Sequence, residues 1–261
     1  MEAQSDAPHQ PSNWLTALAA LGVGSFLACT LLLVTQSQPR KSERGILESR
    51  HNIKNLTLAV HNSAVEHAGQ LPRTVQDPVP QSWRTQVLKY VDRSDLQSAY
   101  RANQAWDAGT NAELARQYLR VFDSPDGQRG MNLGQEWAPS DYGMISGPGT
   151  VQPGDRAVTL DEITAGDGLG STLLLGECIG LQLGWAEPRD PHIDREQMGI
   201  EILKRPDQKS NFLLSTCSDW VPVSFADGAV RALNPKIDPK VLKALCTIDG
   251  DEPITQKDYI D

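Results

Sequence analysis

Trp185, Glu187, Arg189 and Asp190 fall within the six residues WAEPRD, the most chemically suggestive patch of the chain. Two carboxylates this close are what glycoside hydrolysis requires, one as acid and one as nucleophile or base, and an indole face can stack on a sugar ring. Glu177, at the end of the apolar run TLLLGE, supplies a third carboxylate upstream. An arginine between acids most simply neutralises its neighbours, so the same residues read first as packing and second as a ligand or partner surface. Other chemistries are excluded by spacing. His51, His61 and His67 are separated by 10 and 6 residues, whereas a helical zinc site needs two histidines four apart. GDGLGS (166–171) lacks the Lys-Ser/Thr ending of a phosphate loop and precedes a strand pattern, and no Gly-x-Ser-x-Gly occurs. Neither a metal nor a cofactor is expected.

Those residues need elements to hold them. Ile46, Ile53, Leu56, Val60 and Ala64 recur at intervals of 7, 3, 4 and 4, a helical stripe that Ser42 can cap and that Gly69 and Pro72 close. Trp83, Val87, Leu88 and Val91 suit a second helix, and Leu96 with Tyr100 a short third. A further helix is predicted from Thr110 or Asn111 to Arg120, and VFDSPDGQRG reads as a strand end and a turn. Beyond residue 140 the pattern turns to short apolar runs between Gly and Pro: YGMISG, RAVTL, STLLLGECI, IEILK and WVPVSFA. Asp227-Gly228 between VPVSFA and AVRAL predicts a β-hairpin, and Pro239–Leu245 a last helix. Helices first and strands after predict an α+β domain, helices packed on an antiparallel sheet.

Trp14 to Val34 is a run of 21 residues without a charge, long enough for a transmembrane helix. Residues 1–13 read as a disordered tail, 14–34 as the span in contact with membrane lipid, 35–45 as a linker, 46–250 as the folded domain and 251–261 as an acidic tail. The basic residues Arg40, Lys41, Arg44, Arg50 and Lys54 all follow the span, which by the positive-inside rule favours a cytoplasmic domain. The formal net charge of −9 argues against a nucleic-acid partner. Cys29 lies in the span, and Cys178, Cys217 and Cys246 follow without any Cys-x-x-Cys. A Cys178–Cys217 disulfide suits an oxidising compartment.

The motifs NIKNLTLAVHN (52–62), SWRTQVLKYVDRSDLQSAYRANQAWD (82–107), YGMISGPGT (142–150), TLLLGE (172–177), GWAEPRD (184–190) and FADGAVRAL (225–233) together resemble the bacterial family termed domain of unknown function 1559. The resemblance spans about residues 46–250. It implies a type IV pilin-like architecture: an N-terminal transmembrane helix, then an amphipathic helix on an antiparallel sheet, with the domain exported. His61-Asn62 matches the family's His-Asn. Its His-x9-Asp-Gly signature is present in part, with Asp227 and Gly228 in place and Cys217 where His is usual. Cys217 can bind a soft metal as thiolate, or the motif is hairpin geometry alone, with Gly228 at positive φ and Asp227 bonding its own turn. Ser49 and Ser124 stand where relatives carry two cysteines, which fits a bridge lost as a pair. The basic leader, cleavage-site Gly and early Glu of a prepilin have no counterpart here, which favours a static anchor.

The reading is a non-enzymatic, single-pass membrane protein of the cell envelope, its domain exported and partnered by an envelope protein or glycan. The alternatives are a solute- or carbohydrate-binding module built on Trp185, Glu187, Arg189 and Asp190, and a glycoside-type hydrolase using Glu177, Glu187 or Asp190.

Overall fold

The computed structural model describes residues 43–125, 136–193, 199–202, 212–215, 221–250, 254 and 256–259. The span 14–34, the tail before it, most of the linker, and Cys29 and Cys217 lie outside the described residues. Among the described residues no helix is long and apolar enough to cross a membrane.

The predicted amphipathic helix is α1 (Glu43–Glu66). Its stripe Ile53, Leu56, Val60 and Ala64 is fully buried, while Ile46 at the first turn is half-buried. The helix ends as expected around Gly69, with one shift. Ala68 (φ 53°) already enters the left-handed region and Gly69 (φ 82°) follows, its N–H donating to the Ala64 carbonyl at 2.8 Å. That six-to-one bond is a Schellman closure, and it places the left-handed turn one residue before the glycine.

Helix α1 packs across a four-stranded antiparallel sheet of order β2-β3-β7-β8. The strands are β2 (Tyr142–Met144), β3 (Leu173–Glu177), β7 (Val221–Phe225) and β8 (Val230–Leu233). The first three are buried along their whole length, so they read as continuous apolar runs and not as alternating ones. The hairpin predicted at Asp227-Gly228 joins β7 to β8, with Val223 opposite Arg231 and Gly228 at φ 83°. Two further pairs flank this sheet. β1 (Pro139–Ser140) lies antiparallel to β4 (Leu183–Gly184), and β5 (Ile200–Ile202) lies parallel to β6 (Leu213–Ser215). The domain is thus α+β, with antiparallel sheets and one parallel pair.

Short helices precede the sheet, grouped around a 3₁₀ turn that packs against α1. They are α2 (Trp83–Gln86), a 3₁₀ turn (Leu88–Val91), α3 (Ser94–Ala99) and α4 (Gly109–Ala115). Later come α5 (Leu160–Ala165) and α6 (Pro239–Cys246), the latter as predicted apart from one more residue.

Three local expectations are corrected. RAVTL is no strand: Thr159 is the N-cap of α5, its hydroxyl accepting from the Glu162 N–H at 3.2 Å while the Glu162 carboxylate accepts from the Thr159 N–H at 2.9 Å. A capping box therefore outcompetes a pattern that alternates like a strand. The helix from residue 110 stops at Ala115, and Asn111 is no cap but a buried organiser that bonds the backbone of Arg101, Gln104 and Ala105. Val121 and Phe122 belong to a 3₁₀ turn (Arg120–Phe122), not a strand end.

Candidate functional site

The residues of WAEPRD part company in three dimensions. Trp185 follows β4 directly and is fully buried, its ring stacked on Phe122 at 6.3 Å and its indole N–H donating to the Gln117 carbonyl at 3.1 Å. No face of that indole is open to a ligand. Glu187 turns back to accept from the Gly184 N–H at 3.1 Å and pairs with Arg189 at 2.7 Å. Asp190 points inward to Arg84, with which it forms an ion pair at 2.9 Å, both side chains nearly without exposure. It also accepts from Thr74 Oγ1 at 2.7 Å, Trp83 Nε1 at 3.0 Å and the Met144 N–H at 3.2 Å. Burial pushes the Asp190 carboxyl above its ordinary range, while Arg84 and these donors pull against it. Arg84 is saturated in turn, donating to the Tyr142 carbonyl, Ser140 Oγ, Ser82 Oγ and the Arg189 carbonyl. This buried, fully bonded pair ties α2 to the segment after β4, and breaking one partner of such a pair typically costs about 3–5 kcal/mol.

Glu177, at the end of β3, belongs to a second buried group. One of its oxygens accepts from Ser49 Oγ at 3.0 Å and from Ser124 Oγ at 2.7 Å. The Tyr142 hydroxyl donates to Ser49 Oγ at 3.1 Å, and the Ser124 N–H donates to Asp141 Oδ2 at 2.9 Å. Burial first, and the Glu177 charge second, hold the Tyr142 phenol far above its ordinary value, so it remains a donor. Ser49 and Ser124, 75 positions apart in sequence, meet at one carboxylate oxygen. Glu177, Glu187 and Asp190 thus bond to three different sets of partners, and neither Glu177 nor Glu187 lines either of the two described cavities.

The Asp-Gly signature forms a joint between α1 and the hairpin. Lys54 Nζ donates to the Gly228 carbonyl at 2.8 Å, and the His61 ring packs beside the same turn, where a Cβ on Gly228 would lie 3.7 Å from its Nε2. Asp227 Oδ1 accepts from the Ala229 N–H at 2.8 Å, closing its own turn, and Asp227 also pairs with Arg231. The Asp227 N–H donates to the Leu169 carbonyl at 2.9 Å, and Arg231 reaches the Gly170 carbonyl at 3.3 Å, so this turn also fixes the GDGLGS loop. His61-Asn62 and Asp227-Gly228, far apart in sequence, therefore contribute to one joint through His61. Cys178 is buried beside β3, and its proposed partner Cys217 lies outside the described residues.

Of the two cavities the larger, about 660 Å³, runs along the outer face of α1. One wall is the helical stripe His51, Asn55, Leu58 and Asn62, spaced 4, 3 and 4. The other is Tyr90 to Arg93 and Tyr118 to Val121. The smaller cavity, about 260 Å³, includes Arg189, Asp190, Gln152 and His192. The sequence offered one signal for the larger groove, the polar residues on the far side of the α1 stripe, but each alone reads as a solvated helix face. Among the described residues no group of three His, Cys, Asp or Glu is placed to hold a metal ion.

A long helix on an antiparallel sheet, with a His-Asn and an Asp-Gly motif locked together, defines the class of protein. The family model described as Protein of unknown function (DUF1559) matches residues 47–201, more than half of the chain, and the chain belongs to that family. No curated protein and no solved structure matches the chain.

Proposed function

We propose that this is a non-enzymatic, single-pass membrane-anchored protein of the cell envelope. In this reading residues 14–34 lie in lipid, and the domain from residue 46 is exported as a type IV pilin-like structural or interaction module. The observation that carries it is the joint: the family's recognisable residues are spent on holding α1 to the β7–β8 hairpin, through the Lys54 bond to Gly228 and the His61 ring packed beside that turn. A helix held so firmly on one face, with its other face open, suits a display scaffold. The carboxylates weighed for hydrolysis support the non-enzymatic reading, since Glu177 and Asp190 are buried and Glu187 is paired with Arg189. The basic cluster after the span pulls the other way, so topology is the deciding test. Alkaline phosphatase, active only outside the cytoplasm, is fused after residue 70 and at the C-terminus. Activity at both positions is expected. Inactive phosphatase with fluorescent cytoplasmic reporters at the same positions would end the envelope reading.

A further inference from the structure

The groove on the outer face of α1 has no part in the joint, and its lining is selective in its chemistry. We propose that it binds a neutral oligosaccharide. Three lines of observation converge on that class of ligand. First, His51, Asn55 and Asn62 line the groove from one stripe of α1, and among the described residues their side chains make no hydrogen bond. Amides and an imidazole of this kind can donate and accept, which is what a polyhydroxyl ligand requires. Second, apolar surface is interleaved with them. The four large hydrophobic side chains most exposed among the described residues are Leu47, Leu58, Val65 and Tyr118. Leu58 and Tyr118 line the groove itself, and Leu47 and Val65 lie 11 residues before and 7 after Leu58, close to its helical face. Tyr118 is 51% exposed, and its hydroxyl donates to Asp123 at 2.7 Å, which holds the ring in place as a stacking platform. Tyr90 contributes less, since Lys89 already covers its ring at 4.8 Å.

Third, the charges of the groove cancel. Arg120 pairs with Glu48 at 3.2 Å and Arg93 with Asp95 at 2.8 Å, and Asp92 adds a further carboxylate to the lining, so negative charge offsets both guanidiniums. A phosphate or uronate would find no excess of positive charge there, whereas a neutral sugar has apolar C–H faces for Leu58 and Tyr118 and hydroxyls for the amides. A volume of about 660 Å³ lies in the range of small-ligand sites. The proposal rests on the envelope reading only for where such a glycan would be met. Binding is a property of the groove and is measured separately from topology.

The test uses the full chain in lauryldimethylamine oxide, a detergent without a sugar head group, and saturation-transfer NMR with chitotetraose and cellotetraose. Trigalacturonate serves as the anionic contrast. Saturation transfer to at least one neutral oligosaccharide is expected. Asn62→Ala, on the exposed side of α1, and Tyr118→Ala should each weaken it about tenfold, the scale of one lost stacking or hydrogen-bonding contact. Both variants should melt at the wild-type temperature. Absence of transfer from both neutral sugars, equal transfer in the variants, or a preference for trigalacturonate overturns the proposal. So does concentration-dependent dimerisation that Leu58→Glu abolishes, which would give the face to a second copy of the chain. None of these results alters the phosphatase outcome.

Discussion

His61, whose spacing already excludes a helical zinc site, is a structural pivot beside the Asp-Gly turn. Its ring packs beside Gly228, and Nε2 is buried without a hydrogen-bond partner. Burial holds its pKa below the ordinary 6.5, and the nearby Lys54 charge adds to that, while the Ala226 carbonyl and Asp227 oppose it. With the folded value below the unfolded one, the unfolded chain takes up the proton first. The stability contributed by neutral His61 is complete above about pH 6.5 and is lost as pH falls toward the folded value. Urea unfolding midpoints should therefore drop between pH 7 and pH 5, and His61→Gln should flatten that part of the profile. An unchanged slope in the variant would show that other groups carry the acid sensitivity. Trp185 teaches the complementary lesson. In sequence, an indole among two acids and an arginine reads as a binding surface. Yet β4 ends at Gly184, and the chain carries the next side chain into the core against Phe122. Neighbours in sequence cannot reveal which of them turns inward.

At the scale of elements, legibility followed periodicity. The stripe Ile53, Leu56, Val60 and Ala64 needs only a 3.6-residue repeat to be seen, and Asp227-Gly228 needs only turn chemistry, so α1 and the hairpin were readable. RAVTL was not, because a capping box at Thr159 and Glu162 decided against an alternating pattern. The groove was hidden for a different reason: its walls come from α1, the 3₁₀ turn after α2 and the segment after α4, and each looks merely solvated by itself. Ser49 and Ser124 fall between these cases. The resemblance suggested a lost bridge, and the structure brings both hydroxyls to Glu177. The double variant Ser49→Cys/Ser124→Cys should therefore oxidise, joining α1 to the segment after the Arg120–Phe122 turn. A closed loop of this length is valued at about 4 kcal/mol by chain entropy, against about 1–3 kcal/mol for removing two hydroxyl partners from a buried carboxylate. Paired urea titrations should show a net gain of about 1–3 kcal/mol for the oxidised variant over the wild-type chain, and about 4 kcal/mol over its own reduced form, with two fewer titratable thiols. Two thiols that stay reduced under oxidant would show that these backbones do not approach closely enough.

For the whole domain, the β7–β8 hairpin is where distant parts of the chain converge. Helix α1 grips its turn through Lys54 and His61, and the chain's closing residues return to its strand. The stretch 251–261 reads from composition as an acidic tail, yet Tyr259 is buried and stacks on Phe225 with centroids 5.6 Å apart, while Arg231 sits over the Phe225 ring at 4.4 Å. Phe225 is fully buried, so the ring of Tyr259 is part of what keeps water from it. Ending the chain after Gly250 should thus cost stability on the order of 2–4 kcal/mol, near the lower end of large-to-small aromatic substitutions in a core. Burial pushes the Tyr259 phenol above its ordinary pKa, so it stays neutral at physiological pH, and the ring provides the stack on Phe225. Tyr259→Phe should unfold at the wild-type urea midpoint, and Tyr259→Ala should reproduce most of the truncation. A truncated chain as stable as the full one would mean that α1 and the sheet close the core alone; a costly Tyr259→Phe would mean that the hydroxyl, not the ring, holds the end in place.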